Sequence, residues 1–464
     1  MAAFLRSVVC CATAVAVAAS CAVKQPPPAA AALAGVLPAA TTVPVSWTTT
    51  AAGGAVVTDW LLSFADPQLQ VLVDEALQNN LDLRAAAERV DVAAAMVTQA
   101  RALLYPHLAV TAGAGLVGRD WTKDRSGIVG DISWELDVWG RVRAQAAAAT
   151  AAREAIDADL LFARQSLAAT VATLWFQTVA TERLRQTAED ASTLYADLLR
   201  LVRTRHAVGR SNMQDVALAV ADLERARQRE RAFAASEQQI VRGLEVIVGR
   251  YPAGELALAP DLPPLPPSIP AGLPSELLER RPDLLAAERR VAAAFHWIQV
   301  AQAARLPRIA LTAGGGRSTS ELLRLAGVGA GFWRAGIDLL APVFMGGALE
   351  AEVSRATAEQ QVALALYGQA ALRAFSEVES SLADEQLLVE QQQHLEAVLA
   401  QDSEALRLGR VRFTAGATDL LTVLQLQGRQ LATRFDLIGI RNDRLTTRVA
   451  LHLALGGGFT PPSP

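Results

Sequence analysis

Two stretches of this chain say nearly the same thing. Residues 106–115 read Pro-His-Leu-Ala-Val-Thr-Ala-Gly-Ala-Gly, and residues 307–316 read Pro-Arg-Ile-Ala-Leu-Thr-Ala-Gly-Gly-Gly, an offset of 307 − 106 = 201. The offset holds upstream without a gap, where Asp82, Leu83, Ala85, Ala86, Arg89, Val90 and Ala93 match Asp283, Leu284, Ala286, Ala287, Arg290, Val291 and Ala294. Such self-similarity means one unit written twice. The 464 residues are therefore expected to form one pseudo-symmetric architecture instead of several unrelated domains.

Each copy follows the same plan. In the first, Asp66 precedes Pro67 as a cap precedes a helix, and apolar residues recur at Leu69, Leu72, Val73, Ala76 and Leu77. A second helix runs over about 81–104 and stops at Pro106. Strands are expected over about 107–118 and 127–139, with a polar loop of residues 119–127 between them. In the second strand Ile128, Ile132, Trp134, Leu136 and Val138 fall on one face, and Asp131, Ser133, Glu135 and Asp137 on the other. A period of two places one face against an apolar medium and the other against water. The second copy repeats this over about 308–318 and 328–341, where Trp333, Ala335, Ile337 and Leu339 oppose Arg334, Gly336 and Asp338 until Pro342.

Very long helices follow each hairpin. Residues 141–207 contain neither proline nor glycine, enough for about 100 Å of unbroken helix. Gly209-Arg210-Ser211 interrupts, and helix resumes over 212–248. The second copy predicts helix over 348–413, a break at Ala415-Gly416-Ala417-Thr418, and helix over 419–455. Leu199, Arg200, Leu201, Arg203, Arg205, Gly209 and Val216 align here with Leu406, Arg407, Leu408, Arg410, Arg412, Gly416 and Val423, at an offset of 416 − 209 = 207. The repeats thus occupy 66–250 and 276–456. A linker at 251–275, stiffened by seven prolines from Pro252 to Pro270, joins them, and 457–464 is a tail.

Residues 1–20, with Arg6 and a long apolar run, read as a signal peptide. The small residues before Cys21 resemble a bacterial lipobox, which makes Cys21 the lipidation site and 21–65 an anchored, irregular tether. Cys10 and Cys11 lie in the leader, so the mature chain holds one cysteine and no internal disulfide.

Several functions are excluded. A formal charge of −4 with 19% charged residues offers nothing to a nucleic acid. Residues 113–118 match a dinucleotide fingerprint in letters, but a polar loop follows where the pyrophosphate would need a helix N-terminus. The five histidines, His107, His206, His296, His394 and His452, have no metal-ligand spacing. The chain is expected to be no enzyme and to need no cofactor.

The strands decide the environment. With an apolar outer face and a polar inner one they suit a membrane β-barrel, yet four strands cannot close and an open edge cannot survive in lipid. Three copies supply 3 × 4 = 12 strands, whereas two would leave an interior filled by side chains. Trp121, Trp134, Trp139 and Trp333 suit an interfacial belt. A soluble periplasmic coiled-coil scaffold or adaptor is the alternative from another class; the apolar face of 128–138 counts against it.

Asp66-Pro67, Leu81-Asp82-Leu83, the run Ala100-Arg101-Ala102-Leu103-Leu104-Tyr105-Pro106, residues 133–141 (Ser-Trp-Glu-Leu-Asp-Val-Trp-Gly-Arg), Glu279-Arg280-Arg281-Pro282-Asp283-Leu284 and Ala341-Pro342-Val343-Phe344 together resemble the TolC-type outer-membrane efflux proteins. The likeness is to their lipid-anchored, OprM-like branch. It implies a homotrimeric duct of a Gram-negative outer membrane, a 12-stranded barrel joined to an α-helical tunnel. It also implies a periplasmic adaptor and an inner-membrane pump as partners, and drugs or other small solutes as cargo. A type I protein-secretion duct is the alternative within this class. The resemblance places a periplasmic gate and the adaptor-docking tips at the helix breaks, around Gly209, Ser211, Gly416 and Thr418. The acids that ring the closed aperture in similar proteins map onto Thr422 and Gln425, so this chain lacks both. Asp215, Asp419 and Phe413, with Arg203, Arg205, Arg410 and Arg412, are the remaining gate candidates.

Overall fold

The computed structural model describes residues 23–38, 41, 43–49, 54, 56, 59–116, 124–319 and 330–458. The leader, Cys21, Trp121, much of both hairpin loops and the last six residues lie outside the described residues.

In chain order the elements are α1 (Ala29–Ala34), a 3₁₀ turn (Trp60–Phe64), α2 (Pro67–Asn79), α3 (Leu81–Ala102), β1 (His107–Leu116), β2 (Asp124–Leu136), α4 (Arg141–Ala207) and α5 (Met213–Ile247). After the linker come a second 3₁₀ turn (Pro274–Glu276), α6 (Leu277–Arg280), α7 (Pro282–Ala303), β3 (Arg308–Thr319), β4 (Ala330–Leu340), α8 (Ala348–Thr414) and α9 (Leu420–Ala454). The tether is not wholly irregular: four alanines after Pro28 form α1, as the best helix former placed after a proline allows. Among the described residues no helix is long and apolar enough to cross a membrane.

The chain divides into two compact units. The first gathers Met1–Thr41, Ala87–Asp159 and Asp283–Ala371. Its centre is one four-stranded sheet in the order β1-β2-β3-β4, every neighbour antiparallel. The register sorts the side chains as the alternation requires. Leu108, Ile132, Ala313 and Ala335 form one cross-strand row, and Trp134, Leu311 and Ile337 another. Leu108, Trp333, Ile337 and Leu339 on that face are strongly exposed within a single chain.

Strand β2 departs from its expected limits. It begins at Asp124, inside the expected loop, and ends at Leu136, so Val138 and Trp139 belong to a turn. The cause is Asp137, whose carboxylate accepts from the Val142 and Arg143 amides (both 2.9 Å) and so starts α4. An acid at a helix N-terminus satisfies amides that the first turn leaves free and ends the pleat before it. Trp139 donates instead to the Pro307 carbonyl at 2.7 Å.

The N-terminal strap is tied to this unit. The side-chain amide of Gln299 on α7 accepts from the Lys24 amide (3.0 Å) and donates to the Lys24 carbonyl (3.1 Å).

The second unit holds Thr42–Ala86, Leu160–Pro282 and Leu372–Pro464. Its main core packs Trp60, Phe64, Leu69 and Val73 against Trp175, Phe176, Leu244 and Leu445, all nearly inaccessible. Side chains of this size contribute about 1.5–3 kcal/mol each on burial. The Asp-Pro start of α2 reaches into that core. Asp66 Oδ1 accepts from the Gln68 and Leu69 amides (3.0 and 3.1 Å), and Oδ2 accepts from Trp175 Nε1 at 2.7 Å.

Candidate functional site at the helix breaks

Both breaks are built alike. Gly209 and Gly416 lie at φ +72° and +77°, a left-handed conformation in which a side chain is strained. No heavy atom lies within 4 Å of the place a Cβ would take at either, so backbone conformation alone calls for glycine. Each ends its helix by the same bonds. The Gly209 amide donates to His206 and that of Arg210 to Arg205, while Gly416 donates to Phe413 and Ala417 to Arg412. These bonds satisfy carbonyls that a helix C-terminus otherwise leaves free.

The restarts differ in chemistry. At the first, Asn212 caps α5 by accepting from the Asp215 amide (2.8 Å), and Asp215 accepts from the Asn212 amide (3.2 Å) and the Ser211 hydroxyl (2.7 Å). This reciprocal pair is a capping box. At the second, Asp419 caps α9, accepting from the Thr422 amide (2.9 Å) and hydroxyl (2.6 Å). The Thr422 bonds hold the Asp419 carboxyl below the usual aspartate range. Asn212 and Asp419 are equivalent positions, 419 − 212 = 207, as are Asp215 and Thr422.

The structure brings only some of the candidate gate residues together. Phe413 is buried with Leu199, Val202, Val216, Leu406 and Val423 in one apolar cluster beneath the breaks. The Arg205 guanidinium lies over its ring, 4.2 Å from the centroid. Arg410 donates to Oε1 of buried Gln427 at 2.6 Å. Arg203, Arg412 and Gln425 are exposed, and Thr418 and Ser211 are half-buried. Among the described residues neither Asp215 nor Asp419 forms an ion pair with any of the four arginines. Sequence reasoning missed Asn212 and Gln427; the 207-residue offset pointed to the first, and no motif pointed to the second.

The polar face of the sheet is a second candidate surface. Asp131, Gly314 and Arg334 form one row, and Arg334 Nη2 crosses the intervening strand to Asp131 Oδ1 at 2.5 Å. A Cβ on Gly314 would sit 2.5 Å from Asp131 Oδ1 and 3.1 Å from Arg334 Nε. Nearby, Arg141 grips Glu135 through both its carboxylate oxygens, and Thr312 donates to Asp338.

The sequence profile of the outer membrane efflux proteins matches residues 72–250 and 273–457, nearly all of both repeats. The chain belongs to that family. The pyoverdine export outer membrane protein OpmQ of Pseudomonas aeruginosa is 33% identical over 426 residues, which cover 87% of this chain and 88% of that one. The probable efflux pump outer membrane protein TtgC of Pseudomonas putida is 32% identical over 413 residues, 86% and 85% of the two chains. Among solved structures, the outer-membrane channel OprN superposes with a TM-score of 0.81 at 26% identity, covering 91% of this chain and 99% of that one. The open-state MtrE channel of Neisseria gonorrhoeae gives 0.81 at 28% identity, with 90% and 96% covered. This outer membrane efflux protein is a TolC-type channel, and its family is one of transport, not of catalysis.

Proposed function

We propose that this outer membrane efflux protein is the exit duct of a tripartite efflux system. It passes small solutes received from an inner-membrane pump and a periplasmic adaptor. The observation that carries this is the sheet: one face apolar and exposed, the other lined by Asp131, Glu135, Arg334 and Asp338, and its two edge strands, β1 and β4, free to pair. Lipid tolerates such a sheet only when it is closed, and three copies give 12 strands. Relatives named for pyoverdine, toluene and antibiotics favour small solutes over protein cargo.

A lipid on Cys21 fits the strap. Cys21 lies three steps along the chain from Lys24, a reach of about 10 Å, and Gln299 fixes Lys24 one turn before the end of α7, where the chain passes into β3. The gate is read at the helix breaks. There Arg205 over Phe413 and Arg410 on Gln427 hold helices together within a copy, while exposed Arg203, Arg412 and Asp419 are free to meet the next copy.

Native mass spectrometry of protein extracted in mild detergent tests the assembly. A trimer with acyl chains on Cys21 is the expected result; a monomer that needs no detergent would overturn it. For the gate, the double variant Asp215→Ala, Asp419→Ala should raise single-channel conductance, and an unchanged value removes both acids from the lock.

A further inference from the structure

Helices α8 and α9 face each other across a ladder of three arginines. Arg448 is buried and bonded to Glu385, Arg444 donates to Gln392 Oε1 at 2.6 Å, and Arg441 lies 3.8 Å from Glu396. The outer rungs are ion pairs; the middle rung is not, because position 392 carries a neutral amide. Three cations therefore face two carboxylates, and the excess charge sits at Arg444.

Among the described residues no carboxylate is bonded directly to Arg444. The Nε of Arg444 is shut off from solvent and has no hydrogen-bond partner among the described residues. A buried donor left without an acceptor is unfavourable. Beside it lies a recess of about 200 Å³, walled by Arg441, Arg444 and Gln392 on one side and Leu262, Pro263 and Pro264 of the linker on the other. The prolines bring no amide donor, and Gln392 Nε2 already donates to Glu396 Oε1 at 2.7 Å, so recognition there falls to the two guanidinium groups. Asp261 also borders the recess, but its Oδ1 is already held by Arg183 (3.3 Å) and the Leu262 amide (2.9 Å). The excess charge is felt one turn away: burial first, and the Arg444 cation with it, draws Arg448 below the usual arginine range although Glu385 opposes this.

From this geometry we propose that the recess is a binding site for a small free oxyanion of the phosphate class, held between the Arg444 and Arg441 guanidinium groups. A tetrahedral oxyanion supplies acceptors for planar guanidinium donors and completes the middle rung with the charge Gln392 lacks. Its position matters because the linker is fastened to α9 by Arg448, which donates to the Pro266 and Pro267 carbonyls. An anion between Arg444 and the linker extends that seam by one rung, at the place where the two repeats are joined.

The test is thermal unfolding of the full-length detergent-solubilised protein in increasing inorganic phosphate, with ionic strength held constant by chloride. Binding to the folded state alone raises the midpoint with ligand concentration. The wild type should show that rise. Gln392→Glu, which supplies the missing carboxylate, should raise the midpoint in chloride and abolish the phosphate response; Arg444→Gln should abolish the response without that gain. A midpoint that phosphate leaves unchanged in the wild type overturns the site. So does an equal rise in all three proteins, which would be the general effect of an excluded salt. Retention of the response in Gln392→Glu alone, with that variant folded, also overturns it.

Discussion

The two helix breaks reach the same backbone by different side chains. Each ends on a left-handed glycine with the same pair of closing bonds, and each restarts behind a capped first turn. The first places a neutral Asn212 at the cap with its acid, Asp215, three residues on, while the second places the acid at the cap and Thr422 three residues on. Duplication preserved the geometry and let the carboxylate move by one helical turn. The underside of the breaks diverged further: Phe413 is buried in the apolar cluster, and its counterpart at 413 − 207 = 206 is an exposed histidine donating to the Ser211 carbonyl at 2.9 Å.

The comparison breaks most visibly at that last pair. Phe413→Ala should destabilise the second break by about 3–5 kcal/mol, the usual cost of emptying a buried aromatic site. His206→Ala should cost well under 1 kcal/mol. Amide hydrogen exchange over residues 406–424 and 199–217 reads the two effects separately, and equal losses would mean that the apolar cluster does not favour the second break.

A smaller effect tests the symmetry itself. Gly209→Val and Gly416→Val should each cost about 1–2 kcal/mol, because only the left-handed conformation is penalised and both sites are open. Limited proteolysis at the two breaks checks the equality. A much larger loss at one would reveal packing that only the assembled protein has.

The caps differ less again. Asn212→Ala should weaken the start of α5 by about 1 kcal/mol. For Asp419, acid is the sharper probe. Its carboxyl titrates below the ordinary value of 3.8, so its contribution is complete above that value and is lost as pH falls through the lower folded-state value. The Thr422 amide should therefore exchange faster as pH drops through that window, after correction for intrinsic exchange. Asp419→Asn should flatten the profile without freeing the turn, whereas unchanged pH dependence in that variant would show that another group titrates.

The sequence made the repeats legible because long helices and paired strands are written in periodicity and punctuation. Sixty-seven residues from Arg141 to Ala207 without glycine or proline leave little else to form. Finer limits were hidden wherever one residue serves two elements. Asp137 continues the polar alternation of β2 perfectly well, yet its carboxylate starts α4 and takes Val138 and Trp139 out of the strand. The same double reading affects the candidate gate. Asp419 caps α9 and Asp215 completes the capping box of α5, and the proposed lock asks for the same residue type as these local roles. Arg410 illustrates the opposite case, since its partner Gln427 lies in no motif and is found only when α8 and α9 are brought together.

The missing side-chain carbon at Gly314 has a mechanical meaning. Strands β2 and β4 share no backbone bond, because β3 lies between them, and yet Asp131 and Arg334 touch across it. The link acts as a rivet through three staves of the wall, fastening the first hairpin to the far strand of the second. Bilayer pressure that slides one strand past its neighbour would have to draw this rivet out. An alanine at 314 would push the two heads apart and leave each seam to resist shear alone.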